Sequence, residues 1–151
     1  MIMRNYLARI FERDIDQLYK EVDLYTNEEL LWKVIPGTLN SGGNLALHLI
    51  GNLNHFFGTV LTKNGYVRNR DLEFAEKNVS KKDILERIEY TKGLVGNTIR
   101  DLSDQDLESD FPVILPNQPQ ESTHYFLLHL YGHFHYHLGQ INYHRRIIGD
   151  Q

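Results

Sequence analysis

The chain has 151 residues, 41% hydrophobic and 24% charged, with a net charge of −4 and no cysteine. That is enough for one domain with a real core and too little for two, so a single domain over residues 1–151 is expected. The acidic balance argues against nucleic acid as a partner, and the lack of cysteine excludes disulfides, thiolate metal sites and a cysteine nucleophile.

The N-terminus, Met1-Ile2-Met3-Arg4-Asn5-Tyr6, holds no apolar run of signal-peptide length. No segment reaches the ~20 apolar residues of a membrane helix. The expectation is a soluble cytoplasmic protein with no membrane partner.

A first helix is predicted from about Met3 to Tyr25, because Leu7, Phe11, Ile15, Leu18, Val22 and Tyr25 recur every three or four residues. Thr26-Asn27-Glu28-Glu29 matches a capping box with Thr26 as the cap, opening a short helical turn that ends before Pro36-Gly37. Asn40 or Ser41 can cap a second long helix, from about Asn44 to Thr62, which Asn64-Gly65 stops. Its apolar residues cover much of its circumference. Against them, Asn44, His48, Asn52 and His55 share one side. A polar line on an otherwise apolar helix is costly unless hydrogen bonds or a metal satisfy it.

Residues 66–79 are polar and read as a connection without periodicity. Ser80 then opens a third helix from about Lys81 to Asp101, and Ser103-Asp104-Gln105-Asp106 resembles a brief capped turn. Phe111 to Gln120 contains three of the four prolines and reads as a loop.

The last helix is predicted from Ser122 or Thr123 to about Ile148, with Gly149 as its stop. Its inward face is expected to carry Phe126, His129, Leu130, His133, His137, Gln140, Ile141 and His144. Four long amphipathic helices without strand patterns indicate an all-α four-helix bundle with long crossover connections.

This last helix holds the chemistry. Six of the eight histidines lie between His124 and His144. At about 100° per residue, His129, His133 and His137 climb one stripe, while His124 and His135 project to roughly the opposite side. Imidazoles four apart on a helix can grip one metal ion; His133 and His137 have this spacing, as do His129 and His133. His48, mid-helix on the polar side of the second helix, is the best third donor, and His129 reads as a neighbour, because a fourth imidazole would close a tetrahedral site. Three neutral imidazoles suit Zn²⁺, Ni²⁺ or Fe²⁺ and leave a coordination position open. A single buried histidine is more often a hydrogen-bonded core residue than a ligand; the paired spacing shifts that balance toward metal.

A zinc protease is excluded, since His-Glu-x-x-His needs a glutamate where Phe134, His135 and Tyr136 stand. The nucleophile would be a metal-bound thiolate or water, with no protein residue identified as catalytic. A thiol needs no added base, because a coordinating metal deprotonates it; without cysteine it must come from a small cosubstrate. Asn52, His129 and Gln140 are candidates for lining the substrate pocket.

His133-Phe134-His135-Tyr136-His137-Leu138-Gly139-Gln140 resembles the last helix of the DinB-like superfamily, small four-helix proteins in which a His-x-x-x-His pair precedes Arg-Gly-Gln. Asn44-Leu45-Ala46-Leu47-His48-Leu49 fits the place of that family's third ligand, and the helix order matches over nearly the whole chain. Leu138 departs from the family pattern by replacing the arginine. The resemblance implies a metal site at His48, His133 and His137, a divalent metal, a small-molecule substrate and frequent homodimers. It implies transfer of a low-molecular-weight thiol to an electrophile, or else metal-dependent hydrolysis. A binding bundle without chemistry is the reading outside catalysis.

Overall fold

The computed structural model describes residues 2–149; Met1, Asp150 and Gln151 lie outside the described residues. Four long helical segments form the bundle: α1 (Ile2–Asp23), α3 (Gly42–Leu53) with a π-helical continuation over Asn54–Thr62, α5 (Lys81–Asp101) and α7 (Thr123–Gly149). Three short helices, α2 (Glu28–Trp32), α4 (Arg70–Ala75) and α6 (Asp104–Glu108), sit in the crossovers between them. The fold is all-α, and the four long helices fall where periodicity places them.

Each start has a local cause. Asn27, not Thr26, caps α2, its side chain accepting from the Glu29 N–H at 2.9 Å. The pattern is right and one residue out of register. Ser41 caps α3 through the Asn44 N–H, Ser80 caps α5, and Ser103 with Asp106 forms a capping box on α6. The start of α7 is tied to the preceding loop by Thr123 N–H to Ser109 O at 2.8 Å and by the antiparallel bridge between Asp110 and Ser122. Gly149 falls inside α7 rather than beyond its end.

α1 packs along α5, and α3 lies against α7. Phe11, Phe57, Phe111 and Phe134 are among the largest fully buried side chains; Phe111 stacks on Phe126 with centroids 3.7 Å apart. Every residue of α3 is buried. A helix enclosed on all sides must find partners for its polar line, and this requirement organises the site.

The second long helix changes register just after Leu53. Asn54 donates from Nδ2 to Ile50 O at 2.9 Å and to Thr91 Oγ1 at 2.8 Å where the wider π turns begin. Lys63, with φ of 54°, ends the segment in the left-handed region, two residues before Gly65 at φ of 84°.

On α7 the buried face runs through Phe126, Leu127, Leu130, Phe134, Leu138, Ile141, His144 and Ile148. The expected inward face is thus partly corrected: His129, His133 and His137 are half-buried and Gln140 is exposed. Large apolar side chains at 127, 134, 138 and 148 claim the centre, so the imidazole stripe lies along its edge, between core and solvent. Leu138 takes a core position.

Candidate metal centre

α3 and α7 bring His48, His133 and His137 together, with one ring nitrogen from each lying within 4.8 Å of the others. Their rings meet edge to face, at centroid separations of 5.1 Å for His48–His133, 5.0 Å for His48–His137 and 4.7 Å for His133–His137. His48 Nε2 and His133 Nε2 are 3.2 Å apart. Two nitrogens each about 2.0–2.1 Å from one tetrahedral Zn²⁺ stand about 3.3 Å apart, so the donors present fit a metal ion. A proton fits the same line, with one imidazole donating to the other.

Two of the rings have their Nδ1 engaged. His48 Nδ1–H donates to Glu73 Oε2 at 2.8 Å, and His137 Nδ1–H donates to Gln140 Oε1 at 2.7 Å. A bond at Nδ1 fixes the tautomer and turns the lone pair of Nε2 toward the centre. His133 Nδ1 is buried with no partner among the described residues. Burial, reinforced by the neighbouring imidazoles, pushes the His133 pKa down to about 4; burial also lowers that of His137. Both are then neutral at pH 7, the form in which imidazole binds a metal.

Glu73 is the residue that sequence reasoning missed. It is the buried residue of α4, in the segment read as a plain connection. Arg68 holds its carboxylate from both sides, Nε to Oε1 at 2.7 Å and Nη2 to Oε2 at 2.9 Å. Burial works to raise the Glu73 pKa, but hydrogen bonds from Arg68 and His48 outweigh it and hold the carboxyl below its usual value. The carboxylate sits against Gly51, where a Cβ would collide with Oε1. Asn44 completes the attachment, donating from Nδ2 to the carbonyls of Glu73 at 3.0 Å and Glu76 at 2.7 Å. Asn44 and His48 of the polar line on α3 are therefore satisfied by α4. The available signal was Asn69 followed by Arg-Asp-Leu-Glu, a capped start: Asn69 accepts from the Leu72 N–H at 3.0 Å.

The cavity beside the triad measures about 330 Å³, at the small end of the range of ligand pockets. Asn52 and His129 line it, with Arg68, Arg70 and Phe74 on the α4 side. Gln140 lies outside this lining and reaches the site through His137. His55, about 10 Å further along the helix than His48, is not part of the lining and packs on Phe56 at 4.9 Å.

His135 and His144 have other partners. His135 donates to the buried Asp14 at 2.8 Å on the α1 side of α7. His144 accepts from Tyr25 OH at Nδ1 and donates from Nε2 to Lys33 O, both at 2.7 Å.

The sequence profile of the family described as "Protein of unknown function (DUF1572)" matches residues 3–151. The chain belongs to this family. A search of curated proteins finds no match. Among solved structures, this DUF1572 chain is similar to a DinB-like protein from Bacillus cereus ATCC 10987, with a TM-score of 0.71 and 18% identity, over 96% of this chain and 91% of that one. Its fold is that of a DinB-like protein.

Proposed function

We propose that this DUF1572 protein is a metal-dependent enzyme that transfers a low-molecular-weight thiol to an electrophile, with His48, His133 and His137 as the metal ligands. The observation that carries the reading is the pairing of three imidazole nitrogen donors with a cavity no carboxylate lines. A divalent metal held there supplies a Lewis acid that lowers the pKa of a coordinating thiol.

The protein's own residues do the rest. Glu73 and Gln140 hold the His48 and His137 rings with Nε2 forward. Phe56, Phe74 and Phe126 give the cavity apolar walls. His129, the imidazole of the cavity outside the triad, can take up the thiol proton. Hydrolysis is less well supported, because water is far less acidic than a thiol and asks more of the His129 imidazole, and no carboxylate base lines the cavity. The nearest one, Glu73, lies behind His48 and is held by Arg68.

Metal analysis of the purified protein tests the centre. Stoichiometric metal in the wild type, lost in His48→Ala and His133→Ala, is the expected result; metal content unchanged by both substitutions overturns the ligand assignment. The metal-loaded protein is then incubated with small thiols and a generic electrophile, and with esters. Thioether formation supports transfer, ester cleavage alone replaces it with hydrolysis, and no turnover at full occupancy leaves a binding bundle.

A further inference from the structure

The cavity beside the triad has an uneven charge. Arg68, Arg70 and the imidazoles face it, and no aspartate or glutamate is part of its lining. Arg68 is neutralised by Glu73. Arg70 is not: it is exposed, and it forms no hydrogen bond or ion pair among the described residues. Its guanidinium carbon lies 5.5 Å from the centre of the Phe74 ring. A guanidinium lying over an aromatic face keeps its edge N–H groups free, and these can bind a carboxylate with two parallel hydrogen bonds.

Deeper in, Asn52 is 7% exposed, and its side chain forms no hydrogen bond among the described residues. Its Oδ1 is buried without a donor. A buried amide oxygen without a donor is costly, and one that also lines a cavity is suited to a ligand that completes it. The two features differ in kind, a free cation at the rim and an unpaired acceptor inside, and both face the same space.

We infer that the cavity recognises a small carboxylate-bearing molecule, with Arg70 binding the carboxylate at the mouth and Asn52 accepting an amide N–H or hydroxyl inside. The inference rests on the proposed thiol-transfer site and names the class of its cosubstrate: an anionic thiol with a hydrogen-bond donor between thiol and acid. Both anions fit a guanidinium fork; a carboxylate is favoured over a phosphate because its single charge matches the single charge of Arg70, with Arg68 already paired to Glu73.

The test compares N-acetyl-L-cysteine, which carries thiol, amide and carboxylate, with N-acetylcysteamine, which lacks only the carboxylate. Each is titrated by calorimetry into metal-free and Co²⁺-loaded protein, with cobalt stoichiometry read separately from the absorption spectrum. N-acetyl-L-cysteine is expected to bind about tenfold tighter; Arg70→Gln removes that preference, and Asn52→Leu weakens both probes equally without loss of thermal stability. Equal affinities in the wild type, a preference that survives Arg70→Gln, or no binding of either probe overturns the inference. Tighter competition by inorganic phosphate than by acetate overturns the choice of carboxylate. Failure to bind cobalt counts against the metal reading alone, and the metal-free titration then decides the carboxylate preference.

Discussion

His48 Nδ1 stands 2.8 Å from Glu73 Oε2, and both side chains are more than nine-tenths buried. A carboxylate hydrogen-bonded to the far nitrogen of a ligating imidazole orients the ring and raises its basicity, and removing it costs about 10–100-fold in metal affinity. Glu73→Gln keeps the volume but replaces the charged acceptor with a neutral one. The expected outcome is a metal Kd raised about tenfold or more, measured by competition with a chelator, with the helical content unchanged. An unchanged Kd assigns Glu73 a purely structural role.

Acid should destabilise the metal-free protein in two separate windows. His133 has its pKa lowered to about 4, so the unfolded chain binds this proton more tightly than the fold does. Stability is then flat above the ordinary histidine value of about 6.5, falls as pH drops from there toward 4, and levels out below. Asp14 is the opposite kind of group, a carboxyl lowered to about 2 by hydrogen bonds from Arg13, Tyr131 and His135 that overcome the effect of its burial. Its contribution is intact above about 4 and is lost as pH falls toward 2. Urea unfolding in EDTA between pH 7.5 and 5 checks the first window: His133→Leu should flatten the slope, and a slope identical to wild type contradicts the assignment.

Asp14 also separates the two sides of α7. It accepts from Tyr131 OH at 2.7 Å and from His135 Nε2 at 2.8 Å, and it pairs with the largely exposed Arg13. Asp14→Ala leaves partners that can turn to water, so a loss of about 1–3 kcal/mol is expected. Metal content should not change. Loss of metal in this variant would mean that the two polar faces of α7 are coupled through the helix.

The long helices were readable because burial of one stripe imposes a period, and a period survives in the sequence whatever lies opposite. His133 and His137 were readable for the same reason, since spacing by four is a statement about one helix. His48 could be suggested as their partner because it broke an apolar pattern. Glu73 could not be found that way. α4 is six residues long and buries one of them, a glutamate, so no stripe exists to detect. The switch to π turns after Leu53 had no local marker either; it depends on Asn54 reaching Thr91 on α5, a contact between residues 37 apart. The edge position of the imidazole stripe was also illegible, because it follows from competition among apolar residues for the core that only the packed bundle decides.

The attachment of α4 has one more consequence. With Glu73 as its buried side chain, this helix is fastened to the bundle by polar contacts, two carbonyls on the Asn44 amide and one carboxylate on His48, with little apolar area behind them. Contacts of that kind give way locally long before a hydrophobic core does. The backbone amides of residues 70–76 should therefore exchange with solvent faster than those of α3, and their protection should rise whenever His48 is fixed from its other nitrogen. The wall of the cavity would then report its contents.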